Sequence, residues 1–165
     1  MKTGDELKVG DQAPPFEAIA VGGEYNDGRN VTLSDFRGAS VVLYFYPKDD
    51  TPGCTAQACS LRDSWSDVRD EAKIFGVSID SAKSHRKFID KYALPFPILS
   101  DPEKTIVKSY GVWVEKSMYG RKYMGTERST FIIDGAGRIS AIFRKVKPEG
   151  HLDLVREALN NLAKK

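Results

Sequence analysis

The chain has 165 residues, of which 25 are Lys or Arg and 23 are Asp or Glu, so its formal net charge is +2. A composition of 41% hydrophobic and 29% charged residues excludes a disordered or fibrous protein. The balanced charge excludes nucleic-acid binding through bulk charge. The longest apolar runs fall far short of the ~20 residues that span a bilayer, and the first 16 residues lack the apolar region of a secretory signal. We therefore expect one domain over residues 1–165, located in the cytoplasm, with no membrane and no nucleic acid among its partners.

In the first half of the chain, short strands and helices are predicted to alternate around one buried strand. Residues 16–20 are typical of a short strand, and Ser34 of the N-cap of one helical turn. The uncharged run Val-Val-Leu-Tyr-Phe-Tyr at 41–46 predicts a central strand that is buried on both faces. After the turn residues 49–53, apolar side chains recur at helical spacing, at Ala58, Leu61, Trp65 and Val68.

The second half of the chain predicts a further alternation that ends in a hairpin and a helix. The predicted elements are strands at 73–79 and 96–99, helices at 81–92 and 101–110, a hairpin of 130–133 with 139–146, and a closing helix at 150–164. Parallel strands need helical crossovers whereas a hairpin is antiparallel, so we expect a mixed sheet. The predicted fold class is therefore α/β, with a mixed central sheet covered by helices on both faces.

The chain contains two cysteines, Cys54 and Cys59. Two cysteines cannot form the disulfide framework of a small secreted domain, and they cannot supply the four ligands of a structural zinc site. The two histidines, His85 and His151, are distant in sequence, and the charged neighbours of His85 predict a solvent-exposed imidazole. Redox chemistry and inert burial remain as the two interpretations of the cysteine pair.

Cys54 lies where a loop becomes a helix, just beyond the carboxyl end of the predicted strand 41–46. Functional sites of open α/β sheets lie at such strand ends. In the first turn of a helix, free N–H groups and the helix dipole stabilise an anion, which favours the reactive thiolate form of cysteine. The loop also offers the Thr51 hydroxyl to a bound oxygen species. These neighbours favour a reactive thiol over a buried, inert one.

Residues 44–55, together with Gln57-Ala58-Cys59, resemble the peroxiredoxins, and most closely their bacterioferritin comigratory protein or peroxiredoxin Q branch. The motif Pro-x-x-x-Thr-x-x-Cys stands here as Pro47, Thr51 and Cys54. The resemblance extends over nearly the whole chain and also covers residues 10–16, 33–38, 111–113, 115–116 and 128–131.

The resemblance implies a thioredoxin-like fold and a thiol-dependent peroxidase that needs no metal, haem or flavin. Cys54 would be the peroxidatic nucleophile that attacks the peroxide, and Cys59 would be the resolving cysteine that forms an intramolecular disulfide with it. Thr51 would bind a peroxide oxygen, and Pro47 would shield the thiolate from water. Arg128 would stabilise the thiolate and the charge that develops on the leaving oxygen.

The resemblance also implies the partners of this chemistry. The substrates would be hydrogen peroxide and alkyl hydroperoxides, and the disulfide would be reduced by thioredoxin or a similar dithiol protein, in the service of antioxidant defence. Proteins of this branch are often monomers, and we expect a monomer here. The sequence departs from the branch at Gln57, where many relatives have Glu, so that an uncharged amide stands in place of a carboxylate.

Two other interpretations of the cysteine pair are open. The protein could be a redox sensor whose Cys54–Cys59 pair changes shape in order to signal, although the sequence carries no appended regulatory domain. It could also be a thioredoxin-like dithiol oxidoreductase, but that class has Cys-x-x-Cys at its helix start, and here four residues separate the cysteines. Repeated peroxide turnover distinguishes a catalyst from a sensor.

Overall fold

A computed structural model describes residues 7–163, and these form nine strands and five α-helices. The strands are β1 (Glu17–Val21), β2 (Arg29–Thr32), β3 (Val41–Phe45), β4 (Lys73–Ser78), β5 (Ile98–Ser100), β6 (Trp113–Met118), β7 (Arg121–Thr126), β8 (Ser129–Ile133) and β9 (Ile139–Phe143). The helices are α1 (Pro52–Asp63), α2 (Trp65–Val68), α3 (Ala82–Tyr92), α4 (Thr105–Ser109) and α5 (His151–Ala163).

Seven of the strands form one mixed sheet in the order β2-β1-β5-β4-β3-β8-β9. The three central strands β5, β4 and β3 are parallel, and the helices α1 and α3 lie in the connections between them. On either side the sheet is extended by antiparallel pairs, β1 with β5 and β8 with β3. The mixed sheet that the sequence predicts is confirmed. Helices connect the parallel strands, and β8 and β9 pair as an antiparallel hairpin.

Both faces of the sheet are buried against helices, as the uncharged run in β3 predicts. All five residues of β3 are buried. Because successive side chains of a strand point to opposite faces, Val41, Leu43 and Phe45 enter one apolar cluster, which includes residues of α4. Val42 and Tyr44 enter a second cluster, with residues of α1, α2, α3 and α5. Within residues 7–163, no helix is long and apolar enough to cross a membrane.

The prediction fails most clearly between residues 111 and 128, for which no element was expected. The structure places there a two-stranded antiparallel ribbon of β6 and β7, joined at Tyr119 and Gly120. Both turn residues have positive φ, 53° and 78° respectively, as a two-residue hairpin turn requires. Most side chains of the ribbon are exposed or half-buried, so the sequence lacks the alternation of apolar and polar residues that marks a strand.

Two predicted helix starts are also corrected. The helical turn near residue 34 is capped by Thr32 rather than Ser34, through reciprocal bonds between Thr32 and Asp35. Helix α4 begins at Thr105, four residues later than the predicted start at Asp101. The Asp101 carboxylate nevertheless caps this helix from a distance, since it accepts the backbone N–H groups of residues 106 and 107 at 3.0 and 2.9 Å.

Candidate active site

Cys54 lies in the first turn of α1, at the carboxyl end of β3. Thr51 is the N-cap residue and Pro52 occupies the first helical position, where its missing N–H has no cost. The thiol is buried, with 3% of the residue exposed. The N–H groups of Gly53 and Cys54 belong to the first turn and therefore lack carbonyl partners within the helix. The sulfur thus lies where the helix stabilises negative charge.

The Arg128 guanidinium contacts this thiol from a distant part of the chain. Arg128 directly precedes β8, and the register of β8 with β3, in which Ser129 pairs with Phe45, brings it to the same edge of the sheet as Cys54. Its Nη2 donates to Cys54 Sγ at 3.4 Å, and its Nη1 donates to Gln57 Oε1. The structure therefore brings together Cys54 and Arg128, two of the residues that the sequence predicts for the site.

Gly53 leaves room for the Arg128 guanidinium beside the start of α1. A Cβ atom at this position would lie 3.2 Å from Arg128 Nη2, which is closer than most side-chain contacts allow. A Cβ there would require the guanidinium to shift by a few tenths of an ångström. The glycine before Cys54 thus has a steric reason that is independent of turn conformation.

Thr51 and Pro47 lie in the loop that leads into α1. The Thr51 hydroxyl donates to the carbonyl oxygen of Lys48 at 2.9 Å. Because its single proton is used in this bond, its oxygen can only accept a hydrogen bond from a ligand. Pro47 is half-buried and directly follows the buried Tyr46.

Cys59 lies on the same helix as Cys54, is half-buried, and is a free thiol, as is Cys54. Five steps of a regular α-helix separate two Cα atoms by roughly 8.7 Å, counting both the rise and the rotation. This exceeds the ~7 Å beyond which a disulfide needs backbone movement. The intact helix therefore keeps the two thiols apart.

Three further titratable side chains, which the sequence does not indicate, interact electrostatically with the Cys54–Arg128 pair. Burial raises the pKa of Tyr44 well above its usual value, and the nearby Asp49 and Cys54 raise it further, so this phenol is protonated. Burial lowers the pKa of His151 to about 4, and the Arg128 charge lowers it further. His151 is thus neutral, and its Nε2 lies 2.9 Å from Thr130 Oγ1. Burial, followed by the Arg128 charge, also lowers the pKa of Lys116 on β6.

The prediction that His85 is solvent-exposed is wrong. His85 is fully buried on α3, and its Nδ1 lies 2.6 Å from the Oδ2 atom of Asp49. Its charged neighbours in sequence suggested the opposite. The helical spacing did carry the correct signal, since Phe88 and Tyr92 lie three and seven residues after His85 and therefore share its face of the helix.

The chemistry open to this site is that of a thiol. Within the described residues, no group of three or more His, Cys, Asp or Glu side chains could hold a metal ion. A sulfur at a helix N-terminus with a guanidinium 3.4 Å away is stabilised as an anion. The same donors would stabilise negative charge on an oxygen that is displaced beside the sulfur.

Comparison with known proteins identifies the family. The model of the AhpC/TSA family matches residues 9–142. The chain belongs to this family. Peroxiredoxin Bcp of Bacillus subtilis is 43% identical over 160 residues, which are 96% of this chain and 99% of that relative. A putative peroxiredoxin bcp of Coxiella burnetii is 47% identical over 147 residues, 88% of this chain and 94% of that protein.

Solved structures agree with this assignment. Peroxiredoxin Q of Xanthomonas campestris superposes with a TM-score of 0.80 at 38% identity, over 88% of this chain and 90% of that one. A variant of PrxQ from Xylella fastidiosa superposes with a TM-score of 0.84 at 34% identity, over 96% and 97% of the two chains. The predicted thioredoxin-like fold and the predicted Bcp or peroxiredoxin Q branch are confirmed. Thiol-dependent reduction of peroxides is the activity of this peroxiredoxin family.

Proposed function

We propose that the chain, as a single monomeric domain, reduces hydrogen peroxide and organic hydroperoxides through Cys54. A disulfide between Cys54 and Cys59 would complete each cycle, and thioredoxin or a similar dithiol protein would reduce it. The contact of Arg128 with the Cys54 sulfur at 3.4 Å is the observation that supports this most strongly. A solved structure of the Xanthomonas campestris bacterioferritin comigratory protein, 38% identical to this chain, is described in terms of alkyl peroxide reduction activity, which supports organic hydroperoxides as substrates.

In the first step, the Cys54 thiolate attacks one peroxide oxygen. An S–O bond forms as the O–O bond breaks, and the departing oxygen leaves as hydroxide or alkoxide and takes up a proton. The cysteine is oxidised to sulfenic acid while the peroxide is reduced to water or an alcohol. Arg128 and the first-turn N–H groups would stabilise the departing charge. The Thr51 oxygen, whose own proton is engaged by Lys48, would accept a hydrogen bond from the peroxide.

In the second step, Cys59 condenses with the sulfenic acid. An S–S bond forms, and the sulfenic oxygen leaves as water. Because the intact helix holds the two Cα atoms roughly 8.7 Å apart, the first turns of α1 must unwind before the bond can close. An external dithiol would then return both cysteines to thiols and become a disulfide itself.

Hydrogen exchange tests the unwinding directly. In the disulfide form, we expect the amides of residues 55–62 to exchange faster than in the reduced form, because their helical hydrogen bonds are lost. Mass spectrometry would confirm the bond in the same sample. Equal protection of these amides in both forms would contradict the proposed unwinding.

The experiment that tests the function is peroxide consumption in the presence of thioredoxin, thioredoxin reductase and NADPH. We expect many peroxide molecules to be consumed per chain. A single turnover per chain would favour a sensor instead. In Cys59→Ser protein, we expect fast first oxidation, stalled thioredoxin-linked turnover, and a sulfenic acid on Cys54 that a dimedone-type reagent traps. Full thioredoxin-linked turnover by that variant would exclude Cys59 as the resolving residue.

A further inference from the structure

The loop before α1 carries a buried carboxylate whose hydrogen-bond partners are not among the site residues predicted from the sequence. Asp49 is 7% exposed and lies between Pro47 and Thr51. Its Oδ2 accepts the hydroxyl of Ser84 at 2.8 Å and lies 2.6 Å from His85 Nδ1, and its Oδ1 accepts the phenol of Tyr46. We assign a proton to Nδ1 of His85, which makes this nitrogen the donor to the carboxylate. Two of these three donors belong to α3.

The backbone of Asp49 is held as firmly as its side chain. Its N–H donates to Asp80 Oδ2 at 2.8 Å, and the same oxygen accepts the hydroxyl of Ser78, the last residue of β4, at 2.8 Å. Asp49 is thus tied to the central sheet through its amide and to α3 through its carboxylate. A buried carboxylate with this many partners is costly to disturb, because removal of a partner leaves a buried polar atom unpaired.

Helix α3 also forms hydrogen bonds with the residues at the two ends of α1. Asp50 has a φ of 55° and accepts Lys91 Nζ at 2.8 Å and the Tyr92 hydroxyl at 2.6 Å. Near the other end of α1, Arg62 Nη1 donates to the carbonyl oxygen of Tyr92 at 2.8 Å. The same helix therefore fixes the chain immediately before α1 and again near its end. Both cysteines lie between these two attachments.

From this arrangement we propose that the Asp49–His85 pair is a positioning device that keeps the loop 47–51 stationary while the first turns of α1 unwind. The proposal rests on the proposed function, since it concerns the same cycle. The loop carries Thr51, which would bind the peroxide, and Pro47, which would shield the thiolate, so that a fixed loop keeps both in place when Cys54 returns to the helix. The fixed loop also resists fraying of the helix start, because unwinding must begin against an anchored end.

The proposal predicts opposite effects on the two steps when the pair is broken. With a loosened loop, the peroxide-binding groups are less well positioned, so Cys54 oxidation should slow. With a loosened helix start, unwinding is easier, so disulfide formation should accelerate. A substitution that restores a donor to the Asp49 carboxylate should reverse both effects.

The test compares His85→Leu with His85→Asn. Leucine removes the hydrogen-bond donor while it keeps an apolar side chain in the buried site, whereas the asparagine amide nitrogen can take the place of Nδ1. Loss of one hydrogen bond to a buried carboxylate corresponds to a change of about tenfold in a rate constant. For His85→Leu, we expect Cys54 oxidation about tenfold slower, measured in a Cys59→Ser background. We expect disulfide formation several-fold faster, measured by quenched mass spectrometry with both cysteines present. His85→Asn should restore both rates to near wild type.

Hydrogen exchange gives a readout that does not depend on peroxide. In reduced His85→Leu protein, we expect the Asp49 amide to exchange about tenfold faster than in wild type, because its bond to Asp80 depends on the fixed loop. If wild-type protein consumed no peroxide, the proposed function would fail, and this exchange rate alone would still decide whether the pair fixes the loop.

The proposal is overturned if His85→Leu slows or spares both steps alike, if His85→Asn fails to restore them, or if exchange at Asp49 is unchanged. Should His85→Leu fail to fold, Tyr46→Phe and Ser84→Ala each remove one other donor to the Asp49 carboxylate with little change of volume. These variants should show the same opposite effects in smaller measure, and equal effects on both steps would overturn the proposal.

Discussion

Two polar clusters of opposite charge flank the start of α1. One is a cationic cluster of Arg128 and Lys116 that also contains the neutral His151, and the other is an acidic cluster of Asp49 and Asp50. In the cationic cluster, the guanidinium donates directly to the Cys54 sulfur, and burial keeps His151 neutral. In the acidic cluster, the carboxylates accept donors from α3 instead.

The two clusters differ in the partners to which their side chains form hydrogen bonds. The carboxylates of Asp49 and Asp50 hydrogen-bond to side chains of α3, and the Lys91 ammonium among these offsets the charge of Asp50. Arg128 has five N–H donors, and its bonds to Cys54 and Gln57 account for two of them. The remaining donors of the guanidinium can serve a substrate oxygen. The cationic cluster thus serves the proposed chemistry, and the acidic cluster attaches the loop before α1 to α3.

Cys54→Ser gives the largest expected effect, since it removes the proposed nucleophile of the cationic flank. A hydroxyl is not ionised at neutral pH and does not attack the peroxide. We expect turnover to be abolished while the circular dichroism spectrum is unchanged. Cys59→Ser, on the same helix, is the matched control and should retain fast first oxidation. Substantial activity in Cys54→Ser would place the chemistry elsewhere.

Arg128→Ala tests whether the cationic flank acts on charge. One donor aimed at developing charge is worth ~3 kcal/mol, or roughly a hundredfold in rate. We expect stopped-flow oxidation of Cys54 to slow by about this factor, and alkylation of the thiol at neutral pH to slow as well. Arg138→Ala is the control, because Arg138 donates to the carbonyl oxygen of Gly10 in an exposed part of the molecule. Two unchanged rates would remove Arg128 from the site.

His151 gives the cationic flank a pH dependence of stability. Its pKa is about 4 in the folded protein against 6.5 for an unperturbed histidine, so the unfolded chain binds the proton more tightly. Stability should therefore rise with pH between these two values, by about 2 kcal/mol from pH 5 to pH 7 for this group alone. His151→Gln keeps a partner for Thr130 but does not titrate.

Urea denaturation of the two proteins at several pH values isolates this contribution, because other titrating groups affect both alike. As the pH falls from 7 to 5, we expect the free energy of unfolding of wild type to decrease relative to that of His151→Gln. Parallel curves for wild type and His151→Gln would show that His151 is not held neutral by burial.

Gln57→Met gives the smallest of these effects. Gln57 is buried and accepts Arg128 Nη1, and methionine has a similar length but no strong acceptor. Loss of one hydrogen bond to a charged group corresponds to a decrease of about tenfold in the rate constant. We expect Cys54 oxidation to slow by up to this factor, while Gln12→Met, at an exposed position, changes nothing. An effect as large as that of Arg128→Ala would mean that Gln57 alone orients the guanidinium.

Local sequence patterns are sufficient to predict the central strand, the helix after it and the placement of Cys54 at their junction. These features follow from local patterns, namely an uncharged β-branched run, turn residues and helical spacing. The motif of Pro47, Thr51 and Cys54 was likewise contained in one short segment, and it was sufficient to indicate the family.

The distant side chains that meet this segment become apparent from the packing of the sheet and helices. Arg128 lies 74 residues from Cys54 in sequence, and the register of β8 against β3 brings it to the sulfur. His85 lies on a helix whose charged residues outnumber its apolar ones, and the packing of α3 buries it against Asp49. Long-range contacts depend on strand register and on the orientation of packed helices, and local periodicity specifies neither.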